Sequence, residues 1–83
     1  MLNTENDYKI VIYKNRACCG TSILTRFCYY ADLPCYYAMN KDPNYEKYNN
    51  HIVLYKKDKI EAITISAYKM MKYLVWGTFK PCK

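Results

Sequence analysis

The residues in this sequence best equipped for chemistry sit in two copies of Cys-Tyr-Tyr-Ala, Cys28 to Ala31 and Cys35 to Ala38, offset by seven positions. A thiol and two phenols per copy could ligate a metal, stack on bases, face a partner, or fill the seam of a small core. Zinc asks for four ligands, usually brought as close pairs such as Cys-x2-Cys. Here Cys18 and Cys19 are adjacent, Cys28 and Cys35 stand either side of Pro34, Cys82 lies near the end, and His51 is the single histidine. The spacing points to no metal site and no cofactor. Cys28 and Cys35 read instead as small buried hydrophobes that pack together at a corner of the chain.

Nucleophilic catalysis needs a base beside the thiol, and His51 is the only imidazole available to Cys18 or Cys19. No residue pattern supplies the orienting group or the oxyanion donors that would complete such a site. Gly20 and Gly77 are too far apart to form a phosphate-cradling loop, and the seven acidic residues include no general-acid pair. The expected protein is not an enzyme, with no catalytic residues.

Binding remains, in two versions. In the first, tyrosines form a protein interface, because Tyr, Trp and Met supply large contact area with little side-chain freedom to lose. The stretch 29–50 has little net charge and contains Tyr29, Tyr30, Tyr36, Tyr37, Tyr45 and Tyr48, while Trp76 and Phe79 make a second patch. In the alternative, Tyr13, Tyr29, Tyr36, Tyr45, Tyr48 and Tyr55 offer faces on which single-stranded nucleic acid stacks. Lys14, Arg16, Arg26, Lys47, Lys56 and Lys57 would then hold its phosphates.

These side chains need a scaffold. Residues 8–14 are β-branched and aromatic, with Ile10 and Ile12 on one face and Val11 and Tyr13 on the other, which predicts a strand covered on both sides. Residues 21–30 read as a second strand that pairs with it in a hairpin. Asp32, followed by Leu33 and Pro34, has the form of an N-cap opening a short helix over 35–41, and Asp42-Pro43 starts another helical turn over 44–48. Residues 51–57 and 59–65 flank Asp58 as a second hairpin. Ser66 caps a closing helix in which Ala67, Met70, Met71 and Leu74 share a face, and Gly77 is placed to end it.

The expected fold is therefore α+β. It is a small single domain over 1–83 with an antiparallel sheet of about four strands from two hairpins, a short middle helix, and a C-terminal amphipathic helix on one face, in ββαββα order. Residues 1–7 are expected to be a flexible N-terminal segment and 78–83 a C-terminal tail.

Charge and composition narrow the partner. The net charge is +6, concentrated in 8–31 and 66–83, which carry +4 each, and this favours anionic surroundings as well as solubility. Only two of the thirteen basic residues are arginines, and bidentate phosphate and base recognition leans on Arg, so a protein interface is preferred. Lys, Tyr, Asn and Ile fill 36 positions, against 12 for Gly, Ala, Pro and Arg, a bias that AT-rich codons produce. No signal peptide or apolar span is visible, so a cytoplasmic location with reduced thiols and no membrane contact is expected. This profile fits an accessory protein of a phage, virus or mobile element that inhibits a host protein or ribonucleoprotein complex, for example an anti-CRISPR or other anti-defence inhibitor. A homodimer through either tyrosine patch fits it too.

Overall fold

The computed structural model describes residues 7–15, 20–39 and 41–78. Four β-branched or aromatic residues, interrupted once by Lys9, make β1 (Tyr8–Ile12), and its alternation is the expected one: Ile10 and Ile12 are buried on one face, Val11 and Tyr13 on the other. The chain then passes Gly20, held at φ 76, a left-handed conformation that glycine adopts without strain. A Cβ at that position would come within 3.2 Å of the Tyr68 ring, so the entry is also a close approach.

The next element differs from the sequence expectation. Residues 21–30 form a helix, α1 (Thr21–Tyr30), not the second strand of a hairpin. Thr21, Leu24 and Cys28 are its buried residues and Ala31, its C-cap, continues the stripe, a three-to-four-residue recurrence that an alternating reading cannot reproduce. Asp32 does not open a helix; it closes this one. It stands at φ 61, its N–H donates to the Tyr29 carbonyl at 3.2 Å, and the next N–H, of Leu33, donates to the Cys28 carbonyl at 2.9 Å. This is the Schellman ending, and the apolar contact that accompanies it is present, because Leu33 and Cys28 are buried in the same cluster.

Pro34 biases the residue before it towards extended backbone, and the chain continues as β2 (Cys35–Tyr37), where a short helix was expected. β2 runs parallel to β1, with Ile10, Val11 and Ile12 opposite Cys35, Tyr36 and Tyr37. Strand, helix and parallel strand thus make a crossover unit in place of the first expected hairpin. Residues 41–50 are a run of turns in which Asp42 Oδ1 accepts from the Asn44 N–H at 2.9 Å.

The second half agrees with expectation in its hairpin and in the start of its closing helix, but Gly77 does not end that helix. β3 (Ile52–Lys56) pairs antiparallel with β1 on one side and with β4 (Lys59–Thr64) on the other, and β3 with β4 is the expected hairpin. Ser66 caps α2 (Ala67–Tyr73), its hydroxyl accepting from the Lys69 N–H at 3.2 Å. Ala67, Met70 and Leu74 are fully buried; the helix then widens into a π-helical turn, Leu74–Thr78, that carries on through Gly77.

The sheet order is β2-β1-β3-β4, one parallel pair in an otherwise antiparallel sheet, and the described residues make an α+β domain with two α-helices. The element order is βαβββα, which corrects the expected ββαββα. Both helices supply buried residues to the cluster built on Ile10, Ile12, Ile52 and Leu54, and this is the main core. The opposite face carries a smaller cluster of Val11, Tyr13 and Val53, with Tyr45 and Tyr48 of the 41–50 turns packed on it. Among the described residues, no helix is long and apolar enough to cross a membrane.

Candidate functional site

The tyrosines named from sequence separate into three groups. At the end of α1, Tyr29 and Tyr30 are 79% and 71% exposed, their rings 5.6 Å apart and tilted by 70°. The helix turns Cys28 inward and leaves these next two residues on its solvent side. In β2 the alternation of a strand decides instead: Tyr36, level with Val11, points to the face opposite the helices and is 55% exposed, whereas Tyr37, level with Ile12, packs against the main core. Tyr45 and Tyr48 are half-buried on Tyr13, at centroid distances of 6.5 and 5.6 Å. Tyr13 itself is buried and shares a hydroxyl hydrogen bond of 2.9 Å with Tyr55; burial first, and this bond second, hold its phenol well above the ordinary range. Trp76 is as exposed as Tyr29, and Phe79 lies outside the described residues.

Among the basic residues, Arg26 is on α1, Lys47 in the turns, Lys56 at the end of β3 and Lys57 in the β3–β4 turn, all exposed. Lys14 is buried, and its ammonium donates to the Ile65 carbonyl. The Lys47 and Lys56 cations sit over the rings of Tyr48 and Tyr8, 5.3 and 5.4 Å from the centroids, and Lys57 lies 3.9 Å from Asp7. Arg16 lies outside the described residues, as do Cys18, Cys19 and Cys82. The sequence reading missed Met39, 68% exposed, which lines a shallow cavity of about 430 Å³ together with Tyr36, Lys41 and Asp42. No local signal marked its exposure, since the sequence reading runs 35–41 as a helix, whereas the chain leaves β2 at Tyr37.

The two thiols meet at the corner between α1 and β2. Cys28 is fully buried, and Cys35 is partly buried and packed against the same cluster; both are free. The two thiols lie close enough to influence each other's ionisation. This interaction, with burial added, holds Cys28 far above the ordinary thiol range. It draws Cys35 below that range against the opposing effect of its own burial. Of the two thiols, Cys35 is the one favoured to ionise first. We expect iodoacetamide near neutral pH to label Cys35 before Cys28 in a variant whose other cysteines are serine. Replacing Cys28 with Ala removes this influence, so Cys35 should then titrate higher and label more slowly at the same pH; mass spectrometry over time checks this, and unchanged labelling would remove the coupling.

His51 is half-buried, with Nδ1 2.9 Å from the Asn49 carbonyl. Among the described residues no three of His, Cys, Asp or Glu converge where a metal ion could be held. Comparison with protein-family models, with curated proteins and with solved structures finds no match to this chain.

Proposed function

We propose that this chain is a small non-catalytic binding protein that grips a protein partner through Tyr29, Tyr30 and Tyr36, with Met39 at the margin. The observation that carries this reading is the display of three large rings, each more than half exposed, by an 83-residue chain that has little apolar surface to spare for its core. Amphipathic rings held on a helix end and a strand lose little freedom on contact. The composition and the absence of catalytic patterning support the narrower version: an accessory protein of a phage, virus or mobile element that inhibits a host protein or ribonucleoprotein. Stacking of single-stranded nucleic acid is less favoured, since Lys47 and Lys56 already lie over tyrosine rings and Lys14 is spent inside the fold.

Affinity capture from a bacterial host lysate tests the reading. A protein retained by the wild type and lost with Tyr29→Ala/Tyr30→Ala/Tyr36→Ala, at unchanged circular dichroism, is the expected result. Capture of the bait alone, or salt-sensitive binding of single-stranded oligonucleotides without a protein, overturns it.

A further inference from the structure

Tyr29, Tyr30 and Tyr36 leave the other side of the molecule unassigned. β4 has β3 as its only neighbour in the sheet, so its outer side presents backbone N–H and C=O groups unpaired by another strand of the described residues. An edge of this kind is a template for an added strand. Its first half is blunted: the register shift opposite Leu54 and Tyr55 leaves Glu61 as an extra residue on β4, and Lys59 begins the strand. The stretch Ala62–Thr64 beyond the bulge is regular, and here the edge borders a cavity.

That cavity, about 600 Å³, lies between β4 and α2, with Ala62 and Met70 contributing apolar surface and Lys69, Lys72, Tyr73 and Trp76 also lining it. Among the described residues no carboxylate lines it. Beside it Ile63 and Ile65 are 44% and 56% exposed, and Trp76 is 79% exposed. A strand laid along Ala62–Thr64 would find apolar surface for alternate side chains and two ammonium groups for the residues between. A second copy of this chain suits the place poorly: each copy carries +6, and pairing would bring Lys59, Lys69 and Lys72 towards their equivalents.

We propose that the open edge of β4, with the groove between it and α2, takes an extended acidic segment of a protein partner as an added strand. This site stands on residues separate from the exposed tyrosines and does not need them.

The probe is a labelled peptide of about six residues alternating Glu with Val, the usual length of a strand, compared with its Lys-for-Glu counterpart. Fluorescence polarisation reads affinity, and amide hydrogen exchange reads location. The acidic peptide should bind and slow exchange at Ala62 to Thr64, and added salt should weaken it. Lys69→Glu/Lys72→Glu, both exposed positions, should weaken it by at least ~10-fold. N-methylation of alternate peptide amides should abolish binding, and the triple tyrosine variant should bind as the wild type does. The proposal is overturned if the Lys peptide binds equally well. It is also overturned if neither peptide binds at low salt, if protection appears elsewhere, or if the edge is occupied by a self-dimer that Ile63→Lys breaks.

Discussion

Shortening Leu24 to Ala will destabilise the domain by about 3 kcal/mol, while the same change at the adjacent Ile23 will cost less than about 1 kcal/mol. Leu24 is fully buried beneath α1 against the sheet; Ile23 is nearly half exposed. The loss at Leu24 combines the transfer of an isobutyl group with the void left between a helix and a strand pair that cannot both move in. The contrast between neighbours is the informative part. Had 21–30 been a strand, Ile23 would have joined Phe27 and Tyr29 on one face and Leu24 would have joined Arg26 and Tyr30 on the other. Urea melts of the two variants check the difference, and equal losses would mean that α1 buries a different face. For a domain of this size, whose total stability is on the order of 5–10 kcal/mol, the Leu24 change removes a large share.

Replacing Lys14 with Ala should have the next largest effect, a loss of about 2 kcal/mol, and it should act on stability. Lys14 lies just past β1, is only 7% exposed, and carries its ammonium to the Ile65 carbonyl between β4 and α2. Truncation leaves that carbonyl without its charged donor and removes a buried aliphatic stem. Lys14→Met keeps most of the stem and should recover part of the loss, which separates packing from the hydrogen bond. Thermal melts with both variants test this; a Lys14→Ala protein as stable as the wild type would show that the contact contributes nothing.

Lys14 also marks what a charge pattern cannot tell. In the sequence it is one of four basic residues in the stretch 8–31, which makes a phosphate contact a fair expectation. Its inward course depends on Ile65, 51 residues away, whose position relative to β1 is set by β3 and β4. The same limit applies to the tyrosines. Alternation on β1, the hairpin of β3 and β4, and the Ser66-capped helix were legible because each signal is local: side chains two, three or four positions apart and a hydroxyl three residues from the amide it caps. Which ring of Tyr36 and Tyr37 turns outward was not, since it depends on the pairing of β2 with β1.

The doubled Cys-Tyr-Tyr-Ala shows the division most sharply. Residue types and turn signals alone were enough to point to an α+β chain, to separate the two copies at Asp32-Leu33-Pro34, and to bring Cys28 and Cys35 together at one corner of the core. They could not say which copy was helix and which was strand. Both assignments satisfy the local preferences of residues 21–30, six of which are β-branched or aromatic, because such side chains differ by only fractions of a kcal/mol between the two. Burial of Leu24 and Cys28 against Ile10, Ile12, Ile52 and Leu54 is worth far more, and it favours the conformation that brings them to one side. Tertiary packing therefore made the first copy the end of a helix, closed by Asp32 in a left-handed turn, and the second a parallel strand, leaving Tyr29, Tyr30 and Tyr36 in solvent.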